Sequence, residues 1–163
     1  MNEVGAQAIR QSFINCSRGE ARRLALPSDL GARPWADLDF LGWRDPTRPG
    51  RSALVTTTTD DRLVGVMFRV ADTRARRRAM CGVCLTTHPG DGVALMTARK
   101  VGVAGRRGDS VGLYLCADLD CSLYLRGRKD AGPGARMTES LTLDEQIGRC
   151  RATLLAFLDK LFG

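Results

Sequence analysis

The chain has 163 residues with 44% hydrophobic and 26% charged residues, which is the make-up of an ordinary globular protein long enough to bury its own core. No stretch approaches the roughly eighteen consecutive apolar residues of a membrane span, and Met1–Gly5 lacks the basic flank and apolar core of a signal peptide. The expected protein is therefore cytoplasmic, without a membrane partner. Its net charge of +7 is unevenly placed: residues 69–136 hold thirteen basic and six acidic side chains, and the rest of the chain holds twelve of each. A basic half beside a neutral half points to an acidic or polyanionic partner.

Taken in order, residues 5–15 place Ile9, Phe13 and Cys16 at helical spacing. Ser17 and Glu20 have the spacing of a capping box, which predicts a second short helix ending before Pro27. Leu30–Trp43 is broken by Gly and Pro and reads as an irregular segment packing Trp35, Phe40 and Trp43 onto a core. Asp45–Arg51 has the turn chemistry of a surface loop. The β-branched runs Ala53–Thr58 and Leu63–Val70, parted by Asp60 and Asp61, predict a hairpin. Arg74, Arg76, Arg77 and Arg78 follow. A basic Gly/Pro loop spans Arg126–Arg136. Thr142 and Glu145 repeat the capping-box spacing ahead of a last helix, with Ile147, Leu154, Leu158 and Leu161 on one face.

The stretch from Cys81 to Cys121 organises the rest. Cys81 and Cys84 form a Cys-x2-Cys knuckle, and Cys116 and Cys121 close a second pair. Between them lie two apolar runs, Val93–Met96 and Val111–Leu115, with the glycine-rich Gly102–Gly108 as the turn of a hairpin. A knuckle, a hairpin and a second cysteine pair are how a chain encloses a tetrahedral zinc ion. Four thiolates complete the coordination, so the site is expected to be structural and its metal part of the folding free energy. In a reducing compartment paired cysteines become metal ligands more readily than disulfides. Unliganded thiols and a redox pair at Cys81 and Cys84 are the alternatives. His88, the single histidine, could stand in for one cysteine, but a place beside the ligands or in solvent is expected. Cys16 and Cys150 stand apart and are expected to be small buried hydrophobes.

Enzymatic readings find little support. A catalytic zinc needs an open position and a nearby base, and no such base accompanies either pair. Gly102–Gly108 lacks the Gly-Lys-Ser/Thr ending of a phosphate-cradling loop. Asp118 and Asp120 read as turn or helix-start residues. Arg99, Lys100, Arg106 and Arg107 flank the expected hairpin tip and, with Tyr114, make the candidate docking surface for an acidic protein or for RNA phosphates. Nucleic-acid binding usually adds exposed aromatic residues for stacking, and this region holds only Tyr114 and Tyr124.

Phe40-Leu-Gly-Trp43, the Cys81–Cys84 knuckle, Arg106–Asp109, Leu115–Asp118 and the closing Phe157–Leu161 occur in an order that resembles the C-terminal treble-clef zinc-finger domain of the elongation factor G-binding proteins, the FusB-type family linked to fusidic acid resistance. The resemblance runs over residues 5–162. It implies zinc ligands Cys81, Cys84, Cys116 and Cys121, with Cys121 where the family has a histidine, and it leaves His88 outside the motif. It also implies a partner, elongation factor G, which such proteins help to release from drug-stalled ribosomes. The chain looks like the zinc-finger domain alone, without the helical N-terminal domain of the resistance proteins, and against that pattern the Arg126–Arg136 loop is expected to be an insertion.

The expected fold is α+β: N-terminal helices, a small antiparallel sheet with a treble-clef-like zinc finger, and a C-terminal helix. Residues 1–163 are expected to form a single, monomeric domain with its zinc site within 81–121. The expected function is non-enzymatic docking on elongation factor G, with RNA or ribosome binding through the basic face as the alternative.

Overall fold

The computed structural model describes residues 1–71 and 78–163. Two short helices open the chain, α1 (Ala6–Gln11) and α2 (Arg18–Arg23). The capping box at α2 is formed: Ser17 Oγ accepts from the Glu20 amide, and the Glu20 carboxylate accepts from the Ser17 amide. The first helix stops at Gln11, earlier than its spacing suggested. Beyond it Phe13 leaves the helix to bridge Gly65, because the Ile14 and Gly65 amides find carbonyl partners across that bridge.

Among the described residues seven strands follow: β1 (Phe40–Arg44), β2 (Arg51–Thr57), β3 (Leu63–Val70), β4 (Ala79–Met80), β5 (Thr87–His88), β6 (Val93–Arg99) and β7 (Ser110–Cys116). Among them run α3 (Gly102–Arg106), between β6 and β7, and after them α4 (Cys121–Leu125) and α5 (Leu143–Phe162). Strands β1, β2, β3, β6 and β7 form one antiparallel sheet in that order, and β4 pairs with β5. The hairpin β2–β3 stands where its β-branched runs placed it. The Phe40–Trp43 segment, expected to be irregular, is the edge strand β1. Its four residues are all buried, so the alternation that marks a half-exposed strand is missing.

Strand alternation gives the sheet two faces. On one, Leu54, Val66, Phe68, Met96 and Leu115 pack against Cys150, Leu154, Phe157 and Leu158 of α5, with Phe68 and Phe157 stacked at 5.8 Å between ring centroids. On the other, Leu41, Trp43, Ala53, Val55 and Met67 are covered by Ile9, Leu24, Trp35 and Leu38. Trp35 and Trp43 each donate their indole N–H to a backbone carbonyl, of Leu30 and Ala25, so neither polar handle is left unpaired in the core.

The connection from β6 to β7 departs from a simple turn. Gly102–Arg106 is helical, and the strands that flank it pair antiparallel as the expected hairpin, within the central sheet. A connection of this length can close a helical turn, and Gly105 lets it press close: a Cβ there would lie 1.7 Å from the Lys100 carbonyl oxygen. The C-terminal helix begins as expected with a formed capping box at Thr142 and Glu145. Cys150, Leu154, Phe157, Leu158 and Leu161 are its buried residues, and Ile147 is half-buried. Among the described residues no helix is long and apolar enough to cross a membrane.

Candidate metal centre

The tight β4–β5 hairpin holds the knuckle in its turn. The Cys81 amide donates to the Thr86 carbonyl and the Leu85 amide donates to the Cys81 carbonyl, which curls the chain so that both sulfurs point inward. The Val83 amide also donates to Cys81 Sγ at 3.4 Å. Leu85 sits at φ +59°, a left-handed conformation that a branched residue adopts only when its surroundings hold it. The Gly82 amide donates to the Tyr114 carbonyl at 2.8 Å, which joins the knuckle to the free edge of β7.

The second pair lies where β7 ends and α4 begins. Cys116 is the last residue of the strand and Cys121 the first of the helix. Between them Leu119 stands at φ +64° with its side chain buried. Opposite it is Gly42 of β1, where a Cβ would come within 2.4 Å of Leu119 Cβ. The glycine of the Phe-Leu-Gly-Trp segment thus makes room for the cysteine loop, and the edge strand holds that loop's strained residue in place.

These two elements bring Cys81, Cys84, Cys116 and Cys121 together, all buried, with their four sulfurs within 4.8 Å of one another. Cys81 and Cys121 are 3.7 Å apart, and Cys84 and Cys116 are 3.5 Å apart. A tetrahedron with metal–sulfur bonds of about 2.3 Å has sulfur–sulfur edges of about 3.8 Å. The donor set fits one structural zinc. Four thiols at this range also compete for protons. Hydrogen bonds from Cys116 and Cys121 hold the Cys81 and Cys84 thiols below their ordinary range, and contacts with Cys116, Cys81 and Cys84 push Cys121 well above it. A dication resolves that competition by taking all four as thiolates. The redox alternative fits poorly, because the knuckle occupies a hairpin turn and not the helix N-terminus that activates a redox thiol.

His88 lies outside the sulfur cluster but against it. It is buried, its Nε2 is 3.2 Å from Cys116 Sγ, and its ring meets the Tyr124 ring edge-on at 4.7 Å. The Tyr124 hydroxyl donates to Asp118 at 2.7 Å, and Lys129 donates to Asp118 and Asp120 at 2.8 and 2.7 Å. Burial and the bond to Asp118 push the tyrosine hydroxyl well above its ordinary range. Burial opposes protonation of Lys129, but its two carboxylate partners outweigh this and raise it. Asp118 and Asp120 are therefore loop-bracing residues, as their position suggested. Four thiolates around a zinc ion carry a net charge of about −2, and the His88 ring nitrogen lies within hydrogen-bond reach of one of those sulfurs.

The loop at Arg126–Arg136 is bound more firmly than its composition implied. Arg126 forms a two-pronged ion pair with Asp39 at 2.7 and 3.0 Å, and Arg128 pairs with Asp37 at 3.3 Å. Arg136 donates to the Tyr124 and Leu125 carbonyls and to Gln146. These charges clamp the metal-bearing segment to the N-terminal segment and α5. The pairing partners are distant in sequence, so spacing carried no sign of them.

Of the candidate docking residues, Arg99 and Tyr114 are exposed and share one face of the β6–β7 pair, as the register Arg99–Ser110 and Leu95–Tyr114 requires. Arg106 and Arg107 are exposed at the end of α3, and Lys100 is half-buried just before it. Arg78 donates to the Pro133 carbonyl. Arg74, Arg76 and Arg77, singled out with it in the sequence, lie outside the described residues. Cys150 is buried as expected, and burial raises its thiol. Cys16 is only half-buried and borders a surface cavity, with its thiol pushed up to about 11, chiefly by burial.

Comparison with known proteins agrees with this geometry. The family model for the FBP C-terminal treble-clef zinc-finger matches residues 8–161. No curated protein matches the sequence. Among solved structures, that of the fusidic acid resistance protein FusC superimposes with a TM-score of 0.64 at 15% identity, over 98% of this chain and 59% of its own. At that identity the likeness is one of fold, and this chain spans a little over half the length of that protein.

Proposed function

Because this chain belongs to the FBP C-terminal treble-clef zinc-finger family, we propose that it is a cytoplasmic, monomeric, single-domain binding protein that docks on translation elongation factor G and promotes its release from the ribosome. The observation that carries this reading is the family match across nearly the whole chain, joined to a closed four-cysteine site that leaves no coordination position for chemistry. Cys81, Cys84, Cys116 and Cys121 hold one zinc. The ion pins β7 to the knuckle and to α4, so the chain's exposed basic residues are presented on a backbone already ordered before binding. Pre-ordering lowers the entropy cost of association.

Arg99, Lys100, Arg106, Arg107 and Tyr114 form the docking surface. Tyr114 offers a rigid aromatic contact, and the arginines offer forked donors for carboxylates. The exposed Tyr114, on the same sheet face as Arg99, also favours a second reading, an RNA- or ribosome-binding module that stacks a base on the tyrosine. Calorimetry of the zinc-loaded, nuclease-treated protein with purified elongation factor G tests the first reading. Saturable binding that weakens at least tenfold on reversing Arg106 and Arg107 to Glu supports it. Absence of binding, with retained affinity for a short single-stranded RNA, overturns it in favour of the second.

A further inference from the structure

The sheet face opposite α5 is covered over β1–β3 and bare over β6–β7. Where the cover stops, α2, the ends of β2, β3 and β6 and the turn before β7 enclose a cavity of about 250 Å³. Arg51, Arg69 and Arg99 line it. Arg51 and Arg69 are direct cross-strand partners, and Arg69 pairs in turn with Thr97, two residues before Arg99 on the same face. Like charges placed directly opposite each other destabilise a sheet, so this arrangement calls for an anion.

Among the described residues the one carboxylate lining the cavity is Glu20, whose Oε1 is 3.4 Å from Arg51. That carboxylate is already engaged, since its other oxygen accepts from the Ser17 amide and hydroxyl at 2.9 Å each. These bonds, with smaller contributions from Arg51 and Arg99, keep it ionised. Among the described residues neither Arg69 nor Arg99 has an ion-pair partner. Three guanidinium groups against one carboxylate leave a charge of +2 on the lining. Thr97 and Ser110 add hydroxyls at the rim, and Met67 supplies an apolar patch.

We propose that this cavity binds the dianionic phosphate of a small phosphomonoester. The charge balance selects the ligand class: a phosphomonoester cancels +2, whereas a carboxylate or a nucleic-acid phosphodiester carries one charge and leaves half of it uncompensated. Forked guanidinium groups match phosphate oxygens in pairs. The volume, at or below the small end of ligand pockets, suits a phosphate with little attached to it. The site draws on β2, β3 and β6 and does not depend on the elongation-factor reading.

The test is calorimetric titration of inorganic phosphate into the zinc-loaded protein at about pH 8 and constant ionic strength, with dimethyl phosphate as the singly charged comparison. One saturable phosphate site is expected, with dimethyl phosphate at least tenfold weaker. Arg69→Gln and Arg99→Gln should each weaken phosphate at least tenfold while leaving the phosphate-free unfolding temperature in place. Arg99→Lys, which keeps the charge and loses the fork, should weaken it several-fold. Arg62→Gln, at the exposed β2–β3 turn, removes the same charge outside the cavity and should leave affinity unchanged. Should Arg69→Gln fail to fold, the exposed Arg99 carries the test alone. Absence of saturable binding, equal affinity for dimethyl phosphate, or equal losses in the Arg62 and Arg99 variants would overturn the proposal.

Discussion

The two faces of the sheet are held in different ways. The face under the N-terminal segment is a conventional packing of Ile9, Leu24, Trp35, Trp43 and Met67, with indole N–H groups satisfied by backbone carbonyls. The face under α5 belongs to a cluster that includes all four metal-site cysteines alongside Phe68, Leu115, Phe157 and Leu158. There the sulfurs are core side chains as well as ligands. The metal and the α5 layer should therefore form one cooperative unit, while the N-terminal layer keeps its packing partners when the metal is lost. Beyond the sheet they share, the layers are bridged by Leu119 against Gly42, by Arg126 on Asp39, by Arg128 on Asp37 and by the Asp39 amide on the Ser122 hydroxyl.

The strongest way to break this contrast is through a ligand. Cys116→Ser is expected to abolish stoichiometric zinc and unfold the α5 layer, because a structural zinc contributes on the order of 10 kcal/mol of folding free energy. Hydrogen exchange should show α5 amides losing protection well ahead of β1 and β2. Trp43→Ala, in the other layer, should cost about 3–5 kcal/mol through cavity formation yet leave zinc content at the wild-type level. If it also released the metal, the two layers would be one unit. Weakening the bridge by Arg126→Ala leaves the buried Asp39 carboxylate without its partner, at a cost of about 3 kcal/mol. Urea melts followed by tryptophan fluorescence and by α5 helicity should then separate, whereas the wild type is expected to show a single transition. The smallest effect is expected from Thr142→Ala, which removes the α5 cap for about 1 kcal/mol and should lower the melting temperature of the α5 layer without altering zinc stoichiometry.

How much of this was legible in the sequence depended on how local each signal was. Both capping boxes were readable from four residues each and are formed. The β2–β3 hairpin was carried by its β-branched runs, and the cysteine quartet by spacing alone. What escaped was set by distant contacts. Phe40–Trp43 is a strand because β2 pairs with it, and a strand buried on both faces shows no alternation. Gly102–Gly108 looked like a turn because glycines suit one, yet the same glycines allow a helix pressed against the Lys100 carbonyl. His88 was expected beside the ligands or in solvent, and one histidine four residues after a knuckle has no periodicity to choose between the two; it is buried against Cys116. The Arg126–Arg136 loop was readable only as basic and rich in Gly and Pro, and the partners that neutralise much of it, Asp39, Asp118 and Asp120, lie in segments that no spacing rule connects to it.

The most direct measurement is the zinc content of the purified protein by elemental analysis, paired with the number of reactive thiols before and after chelation. The account predicts one zinc per chain, with four cysteines shielded until the metal is withdrawn and the α5 helicity lost in the same step. A protein without zinc whose Cys81 and Cys84 titrate as a disulfide, and whose α5 stays folded, would contradict it.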